Sequence, residues 1–319
     1  MTISLKQMRY AVAVADFGHF GRAATACNIS QPALSQQIAQ VEAECGTALF
    51  DRLTRAVRTT PFGREFIERT RLVLDSAGAL AAFASGHAGE PQRPLRFGLI
   101  PTVAPYLLPE IFPALTTALP GLQFTISENR TDALLAGLVD GSLDIALIGT
   151  SPPTDGPKLA SAPLFDDLFV LATSHDEVTA IPVTLATLRP ERILLLDEGH
   201  CFRDQTIAAC RLDADPAGRT FAATSLSTIV EFVANGQGVT LLPTIALRKE
   251  ANDPRIAIHP LAAPGAGRRL SLVWRDATPF AAQFTRIAEV IRATPPPGVG
   301  AAENYPPYTP PATARSARS

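Results

Sequence analysis

The chain has 319 residues, which is long enough for two or three domains that each bury a core. Its 46% hydrophobic and 18% charged residues are typical of an ordinary globular protein and exclude an intrinsically disordered one. The formal net charge of −2 neither favours nor excludes nucleic acid, so any DNA-binding patch must be local.

Cysteine content and the N-terminal residues bear on the cellular compartment. Four cysteines are too few for a secreted disulfide scaffold. The chain does not begin with a signal-peptide pattern, and no stretch approaches the roughly 18 apolar residues of a membrane-spanning helix. We therefore expect a cytoplasmic protein with no membrane partner, in which thiols start reduced and a disulfide would be transient or regulatory.

Residues 1–61 contain the pattern of a helix, a short turn and a second helix. The first helix is predicted over residues 21–27 and the second over 31–44, where Ser30 is a good N-cap and Pro32 fits the first turn. The second helix has a polar, uncharged face that suits base edges in the major groove, although such faces are also common on ordinary surface helices. That face consists of Gln31, Ser35, Gln36, Gln37 and Gln40.

An arginine-rich segment after the second helix favours the DNA-binding interpretation. Arg52, Arg55 and Arg58 recur every three residues, as in a short wing that holds the phosphate backbone. No lysine or arginine lies between Gln31 and Gln40, so phosphate affinity would depend on this wing and on helix N-termini. No spacing of histidines and cysteines here fits a zinc site, and we expect no metal and no cofactor.

The first sixty residues resemble the winged helix-turn-helix of LysR-type transcriptional regulators. The matching residues are Ala23-Ala24, Ser30-Gln31-Pro32-Ala33-Leu34-Ser35, Leu49-Phe50-Asp51-Arg52 and Thr60-Pro61-Phe62-Gly63. The resemblance implies an N-terminal all-α winged helix-turn-helix that binds double-stranded DNA. The DNA contacts that it implies are Ser30, Gln31, Pro32, Ser35, Gln36, Arg52 and Arg55.

Residues 62–94 are predicted to form a dimerisation helix and a hinge. Phe66, Val73 and Leu80 recur every seven residues, which favours a seam between two helices. About three heptads leave open the alternative of a helix packed on its own domain. In the LysR family the corresponding helix forms the dimer interface, so the resemblance implies a homodimer and, through the family, a homotetramer.

Alternating strand and helix patterns from 95 to 294 predict an α/β domain with mostly parallel sheets and helices on both faces. Two lobes are expected, and the layout resembles the two-lobed periplasmic-binding-protein-like effector domain of the LysR family. Ligands in such sheets bind where strands end, in the cleft. Lobe one is predicted at about 95–164 and 262–294, lobe two at about 165–261, and cleft segments at 101–103, 129–131 and 199–205.

The proline-rich residues 295–319 are predicted to be a disordered tail.

The stretch Gly199-His200-Cys201-Phe202-Arg203-Asp204-Gln205 places a thiol among charged and polar groups. Cations and helix N-termini favour a reactive thiolate, and Arg203, His200 and a helix predicted from Phe202 to Leu212 supply both. Within that helix the Cα atoms of Cys201 and Cys210 would lie about 13 Å apart. A disulfide tolerates only about 4.4–6.8 Å, so joining the two thiols would require local refolding.

Together with residues 98–109, 223–226 and 238–243, this stretch resembles the hydrogen-peroxide-sensing branch of the LysR family. The resemblance implies a peroxidatic Cys201, a resolving Cys210 and a reversible disulfide between them, by way of a sulfenic acid. It further implies a peroxide pocket formed by Thr102, Thr131, His200, Arg203 and Asp204. Thr220 departs from this branch, where a histidine is expected at that position.

Three functions remain open from the sequence. The first is a peroxide-sensing transcriptional activator of oxidative-stress genes, not an enzyme, whose partners are DNA, further copies of itself, RNA polymerase and a cellular thiol reductant. The second is a LysR-type regulator that senses a small metabolite in the lobe cleft and has structural cysteines. The third is a thiol peroxidase with an accessory DNA-binding domain.

Overall fold

The N-terminal region of the computed structural model is a three-helix domain with a short wing. Its elements are α1 (Leu5–Phe17), α2 (Phe20–Ala26), α3 (Gln31–Cys45), β1 (Phe50–Asp51) and β2 (Arg58–Thr59), and the two strands pair antiparallel. The structure describes residues 3–51, 57–84, 93–153, 158–177, 182–212, 222–263, 265–297 and 300–301. The predicted N-cap is confirmed, because the Ser30 side chain accepts a hydrogen bond from the backbone N–H of Ala33.

A long helix, α4 (Pro61–Ala84), follows the wing. Its first turn packs so closely on the wing that a Cβ at Gly63 would lie 2.0 Å from the Leu49 carbonyl oxygen, and only glycine fits there. Further along α4, Val73 and Leu80 of the predicted seam are exposed, Leu80 by 68%. An apolar stripe of this kind on a surface helix suits a second helix in an oligomer.

The remaining residues form the α/β part of the chain. Its first half contains β3 (Leu95–Leu99), α5 (Ala104–Ala118), β4 (Phe124–Glu128), α6 (Thr131–Val139), β5 (Ile145–Ile148) and β6 (Leu159–Ser174). Its second half contains β7 (Leu195–Leu196), α7 (Cys201–Cys210), β8 (Ala222–Ala223), α8 (Leu226–Ala234), β9 (Thr240–Pro243), α9 (Leu247–Glu250), β10 (Ile256–Pro260), β11 (Gly267–Arg275), α10 (Ala281–Arg292) and β12 (Gly300–Ala301).

The expectation of mostly parallel sheets is wrong. In the part of the chain that the structure describes, one mixed sheet runs in the order β10-β6-β11-β5-β3-β4, and β9 and β12 also pair with β6. Only β4 and β5 run parallel to β3, whereas β11 is antiparallel to β5 and β6, and β6 is antiparallel to β9 and β10. The reason is that β6 leads the chain out of one lobe and β11 leads it back.

Strand β6 belongs to both lobes. Its residues 159–168 pair with β11, and its residues 169–174 pair with β9 and β10. One apolar cluster is built from β3, β5, α5, α10 and the first half of β6, and a second from β7, α7, α8, β9 and the far half of β6. The predicted fold class is therefore confirmed: a winged helix-turn-helix with a linker helix, followed by a two-lobed α/β effector domain.

Ordered structure continues past residue 295, where the tail was predicted to begin. Gly300 and Ala301 pair antiparallel with Asp166 and Phe165 of β6, because that part of the strand has an edge on which a further strand can add. The start of the predicted tail is thus too early, and residues 302–319 lie outside the described residues.

A buried carboxylate, Asp144, forms ion pairs with two arginines at the N-terminal end of the α/β part. Asp144 accepts hydrogen bonds from Arg93 at 2.6 and 2.8 Å and from the Arg96 guanidinium at 2.8 and 3.2 Å. Burial by itself raises the pKa of Asp144, but the bonds from the two arginines outweigh it and hold that pKa well below its usual range. The carboxylate therefore stays ionised in the folded protein.

We predict that Asp144→Asn lowers the free energy of unfolding at neutral pH by about 3 kcal/mol, because two partly buried guanidinium groups lose their acceptor. The depressed pKa contributes stability above about pH 3.9, and this contribution is lost as the pH falls through the folded value. Urea unfolding measured from neutral to acidic pH should show that the difference in free energy of unfolding between the variant and the wild type becomes smaller in acid.

The matched control for this prediction is Glu65→Gln, which removes an exposed pair with Arg69 on α4. It should change the free energy of unfolding by no more than about 0.5 kcal/mol. Equal effects of the two substitutions would contradict a stabilising role for the buried cluster.

Candidate functional site

The two cysteines singled out from the sequence are the first and last residues of α7. Cys201 packs against the apolar cluster of lobe one, whereas Cys210 is 8% exposed and belongs to the cluster of lobe two. Both are reduced thiols, and the helical rise puts their Cα atoms about 13 Å apart. Helix α7 therefore connects the interface between the lobes with the interior of lobe two.

A small hollow surrounds Cys201 where the two lobes meet. Its lining comes from the end of β3, the N-terminus of α6 and the N-terminus of α7, and it closes so tightly that no water-sized molecule fits unless a side chain moves. The lining residues are Ile100, Pro101, Thr102, Arg130, Thr131, His200 and Cys201. The structure thus brings together four of the residues expected at the site, Thr102, Thr131, His200 and Cys201, from three segments distant in sequence.

Arg130 also lines this hollow, although no role was predicted for it. The Arg130 guanidinium can pack against the backbone of residue 199 because that residue is glycine. A Cβ there would lie 2.8 Å from the Arg130 Nη1 atom, and the backbone φ of +84° also favours glycine. The signal was present in the sequence, because Arg130 lies in a cleft segment just after a strand. Two helix N-termini and this guanidinium make the hollow favourable for anions.

His200 was expected to supply positive charge to Cys201, and the structure argues against this. The side chain is 7% exposed, and burial lowers its pKa. Nearby Arg130 lowers that pKa further, against an opposing effect of Asp197. A neutral imidazole instead offers one N–H donor and one acceptor beside the thiol, while the cationic group at the hollow is Arg130.

Arg203 and Asp204 are not among the residues that line the hollow. The Arg203 guanidinium donates a hydrogen bond to the Leu196 carbonyl at 3.0 Å, inside lobe two. Asp204 is exposed, and burial of part of its carboxyl raises its pKa against the opposing effect of Arg203. Because each helical residue turns by about 100°, Arg203 points away from Cys201 despite being two positions on.

A buried ion pair lies beside the hollow. Arg268 and Asp167 have side chains with 0% exposure, and Nε of the arginine donates to the carboxylate at 2.9 Å. Its other nitrogens donate to the Thr102 hydroxyl at 2.7 Å and to the Thr102 carbonyl at 3.0 Å. The guanidinium also lies 5.3 Å from the ring centre of Phe202, the residue after Cys201.

No local sequence pattern reveals this pair, because its members come from strands about a hundred residues apart. The pair nevertheless determines how the hollow is built. Since the Thr102 hydroxyl accepts from Arg268, its own hydrogen remains available to donate into the hollow. The Thr131 hydroxyl oxygen is buried and has no hydrogen-bond partner among the described residues, so it too can bond a guest.

The candidate DNA interface is the outward face of α3. Gln31, Pro32 and Gln36 are exposed there and Ser35 is half-buried, while Ser30 caps the helix. Of the predicted wing arginines, Arg52 and Arg55 lie outside the described residues, as does Thr220 of the effector domain, and Arg58 is exposed on β2. The described part of this face therefore combines uncharged hydrogen-bonding groups with a flanking cation.

The described part of the chain offers neither a metal site nor a membrane-spanning helix. Across the described ranges, no three or more histidine, cysteine, aspartate or glutamate side chains are grouped so that they could hold a metal ion. In the same ranges, every helix is too short or too polar to span a bilayer.

The electrostatics of the hollow lead to a prediction about His200. Arg130→Gln should raise the pKa of His200 towards its ordinary value, because a neighbouring positive charge is removed while burial remains. An NMR titration of the histidine rings measures this, with His200→Asn used to assign the signal. Arg203→Gln is the control and should leave the pKa of His200 in place; an equal shift in both variants would contradict a local effect of Arg130.

Comparison with known protein families covers both halves of the chain. Residues 5–64 match the family described as "Bacterial regulatory helix-turn-helix protein, lysR family", and residues 88–295 match the "LysR substrate binding domain". The second match alone spans more than half of the chain.

Individual relatives agree with these matches. The "DNA-binding transcriptional dual regulator OxyR" of Escherichia coli K12 is 37% identical over 293 residues, covering 91% of this chain and 95% of that protein. A "Probable hydrogen peroxide-inducible genes activator" of Mycobacterium leprae is 39% identical over 290 residues, covering 89% of this chain and 92% of that protein.

Solved structures extend the likeness to three dimensions. A full-length OxyR variant from Pseudomonas aeruginosa superposes with a TM-score of 0.80 and 33% identity, covering 92% of this chain and 99% of that one. A hydrogen-peroxide-bound OxyR mutant from Corynebacterium glutamicum gives a TM-score of 0.60 and 34% identity, covering 92% and 94%. This chain therefore belongs to the LysR family of transcriptional regulators and, within that family, to the OxyR branch.

Proposed function

We propose that this protein is a hydrogen-peroxide-sensing transcriptional activator switched by a reversible disulfide between Cys201 and Cys210. The observation that carries the proposal is the placement of α7, which has one thiol in the hollow between the lobes and the other in the core of lobe two. The printed descriptions of its relatives as peroxide-inducible activators, and of one neighbour as peroxide-bound, support it.

In the first step the Cys201 thiolate attacks one oxygen of hydrogen peroxide, and the O–O bond breaks. The sulfur is oxidised to a sulfenic acid, and the hydroxide that leaves takes up a proton to become water. The hydroxyls of Thr102 and Thr131 and the N–H of neutral His200 are the donors that orient the peroxide, and Arg130 adds positive charge where the hydroxide forms.

In the second step the Cys210 thiolate attacks the sulfenic sulfur. The S–S bond forms as the S–O bond breaks, and the hydroxide that leaves is protonated to water. The two Cα atoms must close from about 13 Å to within about 6.8 Å, so α7 unwinds. Phe202 then leaves its edge contact with Phe169, whose ring centre is 5.1 Å away, and its place beside Arg268.

The size of the hollow distinguishes this function from metabolite sensing. The hollow is too tight for a water-sized molecule unless its lining moves, whereas pockets for small metabolites commonly enclose about 300–1,000 Å³. A peroxide of two heavy atoms therefore needs a far smaller opening here than a metabolite would. A thiol peroxidase is also disfavoured, because each turnover would require α7 to unwind and refold. We therefore propose a stoichiometric switch and not an enzyme.

The output of the switch is transcription. The winged helix-turn-helix of residues 1–61 binds double-stranded DNA as part of an oligomer. Residues 62–94 form the dimerisation helix and hinge, and residues 95–294 form the effector domain. Refolding of α7 changes how the effector domains assemble and how they engage RNA polymerase, and a cellular thiol reductant returns the disulfide to two thiols. These partners belong in the cytoplasm, where the reduced state is the resting one.

The decisive experiment is intact-mass analysis and peptide mapping after brief treatment with hydrogen peroxide. Wild-type protein should lose two hydrogens and yield a peptide pair linked through Cys201 and Cys210. In Cys210→Ser a dimedone-reactive sulfenic acid should remain on Cys201, because the resolving thiol is missing. DNA footprints of the treated wild type should change, whereas those of Cys201→Ser should not.

Cys27→Ser and Cys45→Ser are matched controls, since burial raises the pKa of both thiols and neither lies in the effector domain. They should form the disulfide as the wild type does. A full peroxide response in Cys201→Ser would end the proposal. Sustained consumption of many equivalents of peroxide per chain with a thiol reductant would instead favour the peroxidase.

The DNA interface yields a separate prediction. Gln36→Ala should cost about 1–3 kcal/mol of discrimination at one base pair, because an exposed amide on α3 reads a base edge. Arg58→Ala should weaken binding to all sequences alike. It should also reduce the slope of the logarithm of the binding constant against the logarithm of salt concentration by about one. Binding titrations on operator and scrambled DNA at several salt concentrations separate the two effects; a uniform loss in Gln36→Ala would show that α3 does not read bases there.

A further inference from the structure

One side chain joins α7 to lobe one by a hydrogen bond. Gln205, which is 9% exposed, donates from Nε2 to the carbonyl oxygen of Gly149 at 2.6 Å. Gly149 follows β5 in lobe one, whereas Gln205 lies one turn along α7 from Cys201. The other hydrogen bonds described for side chains of α7 stay within lobe two: Arg203 bonds Leu196 and Thr206 bonds Phe202.

The acceptor of this bond is held in place on its other side. A Cβ on Gly149 would lie 3.1 Å from the Arg268 Cδ atom, so the backbone there packs directly against the buried arginine. The Gly149 carbonyl is therefore a fixed point of lobe one. A bond to it restrains the first turn of α7, in which Cys201 lies.

Only the nitrogen of the Gln205 side-chain amide has a hydrogen-bond partner among the described residues. The Oε1 atom of Gln205 is buried and has no hydrogen-bond partner among the described residues. A buried acceptor without a partner carries a desolvation cost that is recovered once water reaches it. The amide thus contributes one bond that holds α7 in place and one cost that is relieved when α7 unwinds, so the restraint is weak enough to be released.

We propose that Gln205 is a positioning residue that latches α7 to lobe one and thereby sets the rate and the equilibrium of disulfide closure. The inference rests on the proposed function. Reaction of Cys201 with peroxide takes place while α7 is intact, so the latch does not affect it. Attack of Cys210 on the sulfenic sulfur, with loss of hydroxide, requires residues 202–210 to unwind, and the bond to Gly149 must break first.

Gln205→Leu removes the latch while keeping a side chain of similar length. Rapid-quench trapping with dimedone should show sulfenic acid forming within about twofold of the wild-type rate. Because leucine removes both the bond to Gly149 and the cost at Oε1, closure to the disulfide should be about two- to fivefold faster, which is no more than one ordinary net hydrogen bond provides. The disulfide should be favoured by the same factor, which makes its reduction potential about 10–20 mV more negative.

Thr206→Val is the matched control on the same helix. It removes a buried 2.9 Å hydrogen bond that runs to Phe202 within α7 and does not reach lobe one. If closure depends only on the stability of α7, both variants accelerate it equally, and the latch is overturned. Hydrogen exchange of residues 201–206 in the reduced proteins should likewise rise more in Gln205→Leu than in Thr206→Val, and this readout does not depend on oxidation.

Gln205→Glu adds a pH signature. A carboxylate cannot donate to the Gly149 carbonyl, but its protonated form can. The closure rate of this variant relative to wild type should therefore fall towards one as the pH is lowered, whereas the ratio for Gln205→Leu should stay constant. A flat ratio in both variants would overturn the latch.

The outcomes separate the two proposals. A wild-type protein that forms no Cys201–Cys210 disulfide contradicts the proposed function, and the inference about closure falls with it. A wild-type protein that closes at the same rate as Gln205→Leu leaves the proposed function intact and overturns the latch alone.

Discussion

The buried ion pair between Arg268 and Asp167 is the constraint on which the effector domain depends. Removing both charges from water is costly, and the cost is offset because each group makes three hydrogen bonds. The arginine donates to Asp167 and twice to Thr102, and the carboxylate also accepts from the Thr244 hydroxyl and the Ile245 N–H, both at 3.0 Å. The pair lies where β6 and β11 pass between the lobes, so it holds the geometry of the hinge and of the hollow together.

That rigid surrounding explains how a ten-residue helix can act as a switch. An isolated helix of this length is only marginally stable in water, so α7 is held mainly by its packing and by its contacts with the lobes. Cys201 faces one lobe and Cys210 the other, and a covalent bond between them cannot form without unwinding the helix. The chemical event is thus converted into a change of shape, while the hinge on which α7 rests stays in place.

The linker helix offers a physical connection from this domain to the DNA-binding domain. Arg71 of α4 bonds Asp16 in α1 and the backbone carbonyl of Asp140 at the end of α6, and its side chain is 10% exposed. One turn further on, Asp75 accepts from Arg93 at 2.9 Å and from Arg275 at 3.1 Å. Because Arg71, Asp75 and Arg275 are largely buried, a change in the angle between α4 and lobe one breaks bonds that water cannot easily replace.

The sequence by itself determined the local elements and the chemistry that they carry. The cap at Ser30 and the helix that separates Cys201 from Cys210 follow from short-range patterns in capping residues, apolar spacing and charge. The tertiary structure alone decided how strands pair and which distant side chains meet. Asp166 and Asp167 interrupt the apolar pattern of the long strand β6, and their arginine partners on β11 make them acceptable in a sheet. Arg130 and Arg268 acquire their roles at the hollow in the same way, from contacts between segments far apart in sequence, because burial and electrostatics depend on neighbours in space.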